Sequence, residues 1–147
     1  MNPFKVEIAT IGFSPFNEAL EALDAQVTQY ENQEEAVAGL KFRSSKGFEM
    51  PTLIICCAGM ERPLYDELAM YCASLSLQVP IVVYDQAFSA LRRRDAKILG
   101  AAAYLAEPIT EERMEQKLFV MIDEQLEKKS DAVATYHDRL GSSDYRL

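Results

Sequence analysis

Residues 100–109 read GAAAYLAEPI, and the architecture of the chain can be worked out from this short run. Its central residues, 103–105, form an apolar strand pattern between two helical patterns. The helix before it is predicted over residues 89–99 and ends at Gly100, because glycine readily adopts the left-handed conformation that closes a helix. The helix after it begins at Thr110, whose hydroxyl can cap the first turn. A strand that joins two helices indicates one unit of an alternating α/β fold.

Four further apolar runs precede this unit, and helical patterns separate them. Two of the runs, LIICC at 53–57 and IVVY at 81–84, are apolar at consecutive positions, which is typical of central strands of a parallel sheet covered on both faces. Predicted strands occupy residues 4–11, 25–30, 53–57, 81–84 and 103–105. Predicted helices occupy residues 14–24, 32–43, 63–75, 89–99 and 110–126, with a polar loop over 44–50. In the fourth helix, the residues predicted to face inward are Ala90, Leu91, Ala96 and Leu99.

Five strand–helix units in 147 residues predict one α/β domain. The predicted architecture is a doubly wound, three-layer fold of the flavodoxin-like type, with a five-stranded parallel sheet in the order 2-1-3-4-5. The domain is predicted over residues 1–128, and residues 129–147 are predicted to be a C-terminal helical extension or tail.

An apolar seam continues from the last helix into this C-terminal segment. Its members recur at alternating spacings of three and four: Phe119, Ile122, Leu126, Lys129, Val133, Tyr136 and Leu140. This heptad pattern, interrupted by one lysine, predicts a helix that continues to about Leu140, where Gly141 stops it, and that pairs with a parallel copy. A frayed polar tail after Lys129 is the alternative interpretation.

The composition narrows the classes of function. The chain is 49% hydrophobic and 26% charged with a formal net charge of -8, which is typical of a globular domain and disfavours binding to nucleic acid or to an anionic membrane. There is no signal-peptide pattern, and three cysteines, two of them adjacent in a strand, do not form a secreted disulfide framework. Flavin, cobalamin and dinucleotide motifs are absent. We therefore expect a cytoplasmic protein without a cofactor.

The 100–109 stretch resembles the fifth-strand motif of response-regulator receiver domains, in which Gly-Ala-x-x-Tyr-Leu-x-Lys-Pro-Phe is usual. The glycine, the alanine, the tyrosine, the leucine and the proline are all present, and the last position holds Ile109 instead of phenylalanine. The lysine, which contacts the phosphoryl group in the family, is Glu107 here. The resemblance covers about residues 4–128, and in the first three units it lies in the pattern only. It implies a CheY-like domain of two-component signalling.

The resemblance also assigns the other phosphorylation-site positions, and each holds a residue of different chemistry. Receiver domains bind magnesium with an acidic pair after the first strand, where this chain has Gly12 and Phe13. Their phosphate acceptor is an aspartate at the end of the third strand, where this chain has Cys57. Their serine or threonine after the fourth strand corresponds to Asp85. The resemblance therefore implies a pseudo-receiver.

Electrostatics at this crevice supports the same conclusion. A phosphoryl group there would face the carboxylates of Asp85 and Glu107, and like charges about 4 Å apart repel by roughly 4 kcal/mol at an effective dielectric near 20. Magnesium would lack the oxygen ligands that the acidic pair supplies. The sequence thus predicts a domain that has no enzymatic activity, works without phosphorylation and signals by binding protein partners.

Receiver domains dock partners or dimerise through the face formed by the fourth helix, the fifth strand and the fifth helix, here called the edge face. Tyr104 falls at the family's switch-aromatic position. The charged residues predicted on this face are Arg92, Arg93, Arg94 and Asp95 on the fourth helix and Glu112, Glu115 and Asp123 on the fifth. A basic helix beside an acidic one predicts pairing across a two-fold axis in a homodimer. Solvated helix faces with local ion pairs are the alternative.

Other functions stay open on the sequence alone. The chain could be the N-terminal regulatory domain of a larger transcriptional or nucleotide-signalling regulator, or a flavodoxin-like enzyme that uses Asp85 and Glu107 as an acid/base pair. Cys57 could be a redox-sensing thiol or could bind a metal together with these two carboxylates, although both carboxylates would raise the thiol pKa. His137, the one histidine, is predicted to be a plain surface residue.

Overall fold

The computed structural model describes residues 6–12, 20, 24–58, 65–75 and 78–146, with side chains except at position 130 and over 132–146. The strands are β1 (Glu7–Ile11), β2 (Gln26–Tyr30), β3 (Leu53–Ala58), β4 (Ile81–Asp85) and β5 (Ala103–Ala106). The helices are α1 (Gln33–Lys46), α2 (Asp66–Ala73), α3 (Ala90–Ile98) and α4 (Glu111–Arg146). The helix predicted over 14–24 lies outside the described residues apart from Leu20 and Asp24, so the predicted fourth and fifth helices are α3 and α4.

The five strands form one parallel sheet in the order β2-β1-β3-β4-β5, which confirms the predicted topology. The register pairs Ile11 with Cys56, and it pairs Asp85 with both Ala58 and Ala106. The last residues of four strands are therefore brought to one edge of the sheet, here called the carboxyl edge. In a doubly wound fold this edge is where ligands bind.

Both faces of the sheet are covered, as the consecutive apolar residues of β3 and β4 predict. Because neighbouring strand residues point to opposite faces, Ile54 and Ile55 belong to different halves of the core. One half joins the sheet to the first three helices and includes Leu40, Leu68, Cys72, Val83 and Ala96. The other half joins the sheet to α4 and includes Ile8, Val82, Leu105, Met114, Leu118 and Ile122.

Three helices begin at side-chain caps, and the cap at Thr110 is the one expected above. The side chain of Asn32 accepts a hydrogen bond from the Glu35 amide at 2.8 Å. The hydroxyl of Ser89 accepts from the Arg92 amide at 3.2 Å, and that of Thr110 accepts from the Arg113 amide at 3.2 Å. Each bond satisfies an amide that has no partner within its own helix, and so fixes where the helix starts.

Two predictions at helix boundaries and faces are wrong. The polar loop predicted from residue 44 begins later, because α1 continues to Lys46 and ends where Gly47 takes a φ of 73°. Leu91 is 60% exposed and Ala90 is also exposed, although both were expected to face inward. The first turn of α3 directs Arg92 rather than Leu91 towards the sheet; Ala96 is buried as predicted.

The last helix, α4, is much longer than the domain requires, with 36 residues. The prediction that Gly141 stops it is wrong, since a glycine inside a helix costs about 1 kcal/mol without ending it. The Gln125 side chain donates a hydrogen bond of 2.9 Å to the carbonyl of Gln78, just before β4 begins. The part of α4 beyond Gln125 therefore continues from the edge opposite the carboxyl edge. The division of the chain at residue 128 stays a prediction.

Candidate functional site

Four of the five predicted phosphorylation-site positions lie at the carboxyl edge, as the motif implies. Gly12 follows β1, Cys57 is the penultimate residue of β3, Asp85 ends β4 and Glu107 follows β5. Gly12 and Cys57 are neighbours, because a Cβ built on Gly12 would lie 3.7 Å from the Cys57 Cβ. Phe13 lies outside the described residues.

Gly12 closes the crevice on the β1 side with backbone groups rather than with a charged side chain. Its φ is 81°, a conformation that glycine adopts without steric cost. Its amide donates to the carbonyl of Tyr30 at 3.0 Å, and its carbonyl accepts from the Gln29 side chain at 3.4 Å. The residue thus ties β1 to β2 and offers no carboxylate to a cation.

Asp85 is a buried carboxylate, only 2% exposed, at the end of the interior strand β4. Arg92 binds it with two nitrogens, Nε to Oδ2 at 2.6 Å and Nη2 to Oδ1 at 3.1 Å. The hydroxyl of Tyr104 donates to Oδ2, and the Ala87 amide donates to Oδ1 at 3.3 Å. Donors from the following loop, from α3 and from β5 therefore converge on one side chain.

Pairing with Arg92 determines the charge state of Asp85. Burial alone would raise the pKa of this carboxyl, but the hydrogen bonds from Arg92, Tyr104 and Ala87 and the charge of Arg92 lower it below its usual value. Asp85 is therefore ionised at neutral pH, and an adjacent guanidinium balances its charge. This corrects the expectation of two uncompensated carboxylates, since Asp85 does not present a free negative charge to the crevice.

Tyr104 faces inward through its hydroxyl. Besides donating to Asp85, the hydroxyl oxygen accepts from the Ser89 amide at 3.0 Å. Burial and the bond to Asp85 raise the pKa of Tyr104, so the phenol keeps its proton at neutral pH. Its ring meets the ring of Phe88 edge-on, with 6.1 Å between centroids. The predicted switch aromatic is thus held between β5 and the loop that follows β4.

Glu107, at the family's lysine position, is held by other partners. Its Oε1 accepts from the Tyr84 hydroxyl at 2.9 Å, and its Oε2 accepts from the Ile109 amide at 3.0 Å. Burial and the bond to Glu107 raise the pKa of Tyr84 above its usual value. Glu107 and Asp85 accept hydrogen bonds from different tyrosines, which is not the arrangement of two carboxyls that share a proton.

Cys57 carries a protonated thiol at neutral pH. Burial raises its pKa to about 11, and burial likewise raises the pKa of its neighbour Cys56. The thiolate is the reactive form of cysteine, and it is formed readily only beside cations or helix N-termini. Cys57 is therefore a weak nucleophile and a poor redox sensor in this setting.

The residues predicted on the edge face fall into two groups, one paired within the chain and the other wholly or partly open to solvent. Arg92 is engaged by Asp85 inside the chain, whereas Arg93, Arg94, Glu112 and Asp123 are exposed and Glu115 is half-buried. Exposed apolar side chains lie nearby, which are Phe88, Leu91 and Ile98 around α3 and Phe119 and Val120 on α4. Phe119 was predicted as part of the heptad seam and Leu91 was expected to face inward, whereas the other three were missed. Leu91 and Ile98 are seven positions apart and so share one side of α3. This spacing was available in the sequence.

The Arg92–Asp85 pair was also missed, although the sequence contains a signal for it. Three consecutive arginines at the start of a helix point in directions about 100° apart, so they cannot all face solvent equally. One of them, seven residues after Asp85, lies within reach of the strand end.

The described part of the chain shows neither a metal-binding cluster nor a membrane-spanning helix. No group of three or more histidine, cysteine or acidic side chains there is arranged to hold a metal ion. Among the described helices, none has the length and apolar character that crossing a bilayer requires. The side chain of His137 lies outside the described residues.

Comparison with known proteins gives matches at the level of structure. No protein-family model matches the chain, and no curated protein matches it in sequence. A response regulator receiver protein from Burkholderia phymatum is 18% identical with a TM-score of 0.67, covering 81% of this chain and 96% of its own. A CheY-like receiver domain protein from Methanospirillum hungatei is 16% identical with a TM-score of 0.67, covering 85% and 99%.

A third match extends over the whole chain. It is a fusion that contains a trimeric coiled-coil segment of yeast Spc42, and it is 19% identical with a TM-score of 0.65. It covers 100% of this chain and 94% of its own. At such identities the likeness concerns the fold, and it confirms what residues 100–109 predict: the chain has the fold of a response-regulator receiver domain.

Proposed function

We propose that this chain is a phosphorylation-independent signalling domain that binds protein partners through the edge face. The observation that carries this proposal is the state of the crevice at the carboxyl edge. Cys57 stands at the acceptor position with a protonated thiol, and Gly12 offers no carboxylate for magnesium. Asp85 and Glu107 already accept hydrogen bonds from within the chain. Among the described residues, the crevice therefore has neither an acceptor for phosphate nor a cationic side chain free to hold it.

The edge face has the composition of a docking surface. Around α3, exposed apolar side chains of Phe88, Leu91 and Ile98 lie among the exposed charges of Arg93 and Arg94. Apolar groups within a charged rim are typical of protein interfaces. In a chain of net charge -8, these arginines form a local basic region that favours an acidic partner.

A second copy of the chain is the partner that we propose for α4. This helix continues well beyond the residues that pack on the sheet, and the heptad spacing of apolar residues continues into that part. Exposed acids on α4, among them Glu112 and Asp123, complement the basic residues of α3. Both features favour a parallel homodimer.

An enzymatic role for the crevice is disfavoured by the same contacts. The proposed acid/base pair would need Asp85 and Glu107 to exchange protons with a substrate, but each is engaged by protein donors. The thiol of Cys57 is not activated, since burial raises its pKa. We therefore propose that the domain has no enzymatic activity.

The proposal is tested by adding magnesium and beryllofluoride, a phosphoryl mimic, to isotopically labelled protein. We expect the amide NMR signals of Gly12, Cys57, Ala87 and Glu107 to stay where they are in magnesium alone. Incubation with acetyl phosphate and magnesium, followed by intact-mass measurement, is expected to give no phosphoryl adduct.

A receiver domain with the complete acidic pair, aspartate and lysine serves as the positive control under identical conditions. The variant Cys57→Asp restores only the acceptor. It is expected to show neither shifted amide signals nor a phosphoryl adduct, because magnesium still lacks its ligands. Saturable shifts at the carboxyl edge of the unmodified chain, or an adduct on it, would refute the proposal.

A further inference from the structure

We infer that Asp85, Arg92 and Tyr104 form a permanent conformational lock, here called the Asp85 lock, with Arg92 as its positioning residue. The lock fixes the loop between β4 and α3 and thereby the arrangement of the exposed apolar groups on the edge face. The role of the lock in partner binding rests on the proposed function. The lock itself consists only of contacts within the chain.

The lock joins three elements that are separate in sequence. Asp85 ends β4, Arg92 lies in the first turn of α3 and Tyr104 lies within β5. Two nitrogens of the Arg92 guanidinium hold both carboxylate oxygens, and the hydroxyl of Tyr104 holds one of them. A planar guanidinium meets a carboxylate in only a few orientations, so this pairing fixes angles as well as distance.

The charge balance stabilises the pairing of Arg92 with Asp85. The Asp85 side chain is 3% exposed, and Arg92 is the cation paired with it among the described residues. If Arg92 swung out, a buried carboxylate would lose its counter-charge, and the free energy of that state would rise steeply. The Arg92 side chain, 33% exposed, would gain little from moving into solvent.

The same groups also hold the loop itself. Nη2 of Arg92 donates to the Ala87 carbonyl at 3.2 Å, and the Ala87 amide donates to Asp85 at 3.3 Å. The Ser89 amide donates to the Tyr104 hydroxyl at 3.0 Å, while the Ser89 side chain caps α3. Every second residue of the loop is thus anchored to a member of the lock.

The anchored loop positions the apolar part of the edge face. Phe88 lies between the two anchored residues, is 60% exposed and packs edge-on against Tyr104. Leu91, also 60% exposed, follows in the first turn of α3. The position of this apolar pair is therefore set by side chains of the protein itself.

The test uses a reporter in the loop. The chain contains no tryptophan, so Phe88→Trp places a single indole in the loop, at a position that is 60% exposed. Arg92→Gln is compared in this background with Arg93→Gln, which makes the same charge change on an exposed neighbour. Two further variants complete the series. Tyr104→Phe removes only the hydroxyl, and Arg92→Lys keeps the positive charge but not the planar guanidinium with its two donating nitrogens.

We expect Arg92→Gln and Tyr104→Phe to raise the hydrogen-exchange rates of the Ala87 and Ser89 amides by at least about tenfold, and to shift the indole emission. Arg93→Gln is expected to leave both observables within about twofold of the parent. Arg92→Lys is expected to fall between the two arginine variants. Tyr104→Phe also keeps the test decisive if Arg92→Gln fails to fold.

The lock inference is overturned if Arg92→Lys and Tyr104→Phe leave loop exchange and emission as Arg93→Gln does. This outcome is distinct from failure of the proposed function, which beryllofluoride binding to the unmodified chain would show. A chain that binds beryllofluoride while Arg92→Gln and Tyr104→Phe loosen the loop would keep the lock and lose phosphorylation independence.

Discussion

The contacts of one residue, Asp85, change the expected electrostatics of the crevice. From the sequence alone it is an acid where receiver domains have a hydroxyl, and it is expected to add negative charge to a crevice that already contains Glu107. In the structure its charge is balanced by Arg92 and it accepts three further contacts with defined donors. The residue that was expected to repel a phosphoryl group therefore holds together the end of β4, the first turn of α3 and β5.

The pKa of Asp85 leads to a prediction about pH. Because its folded-state pKa is lower than its unfolded value, the stabilisation is complete above the unfolded pKa of about 4 and is lost as pH falls through the folded pKa. Asp85→Asn removes this contribution and should lower the free energy of unfolding at pH 7 by about 1–3 kcal/mol.

Urea unfolding of the wild type and Asp85→Asn over a pH series measures this effect. The difference between them is expected to be constant from pH 7 to about pH 5 and to shrink below about pH 4. A difference that persists unchanged far below pH 4 would contradict the assignment. Asp66, whose pKa is lowered chiefly by its bond to Gln33, titrates in both proteins and so cancels in the comparison.

Gly39 provides a second prediction at the scale of one residue. A Cβ at this position in α1 would lie 2.8 Å from the hydroxyl oxygen of Tyr30 and 2.9 Å from its ring. An alanine inside a helix is ordinarily more stable than glycine by about 1 kcal/mol. Here the buried ring has little room to move, so Gly39→Ala is expected to destabilise the fold by about 1–3 kcal/mol, measured by urea unfolding.

The background Tyr30→Leu serves as the control for this clash. In that variant the ring is gone, and Gly39→Ala should no longer destabilise relative to its own parent. The comparison forms a double-mutant cycle, whose coupling energy isolates the contact. A cycle with no coupling would mean that the space around Gly39 is not set by Tyr30.

At the scale of elements, the sequence predicted most of what the structure contains. The consecutive apolar residues of β3 and β4, the cap at Thr110 and the alternation of strands with helices are local features, which a sequence displays directly. The end of α1 and the inward side of α3 were predicted wrongly. Both depend on how a whole helix lies on the sheet, and that is decided by packing rather than by local pattern.

The helix α4 allows a direct test of which side is buried. Leu118 is completely buried between α4 and the sheet, and Val120, two positions away, is 54% exposed. Leu118→Ala is expected to lower the free energy of unfolding by about 2–5 kcal/mol, because it leaves a cavity in the core. Val120→Ala is expected to change it by less than about 0.5 kcal/mol. Equal effects of the two substitutions in chemical unfolding would contradict the observed packing.

For the whole molecule, the proposed homodimer predicts a dependence on the apolar seam of α4. Val133 lies on the seam, and Thr135, two positions further, lies away from it. Val133→Glu is expected to weaken self-association at least about tenfold, since a charge at the seam must lose its hydration or break the contact. Thr135→Glu adds the same charge off the seam and is expected to have little effect.

Light scattering after size-exclusion chromatography over a range of concentrations measures this association. The full chain is expected to run as a dimer, and Val133→Glu is expected to shift towards the monomer. If the unmodified chain is a monomer throughout, the parallel homodimer is wrong. If both glutamate variants weaken it equally, the contact lies elsewhere than on the heptad seam.

The candidate site was predictable in position but not in its interactions. The order of elements and the 100–109 motif place Gly12, Cys57, Asp85 and Glu107 at one edge of the sheet, because the carboxyl ends of parallel strands meet there. The pairing of Asp85 with Arg92 depends on the rotation of α3 about its axis and on one choice among three arginines. Neither quantity can be read from spacing alone.

The length and direction of α4 have a geometric consequence. At 1.5 Å per residue, the part after residue 128 adds a rod of about 27 Å, close to the diameter of a small domain. The rod leaves from the edge where Gln125 meets Gln78, on the far side of the sheet from the crevice. A partner bound at the far end of this helix would leave Asp85 and Glu107 uncovered. One copy of the chain therefore has room for two bound partners at once, about the width of a small domain apart.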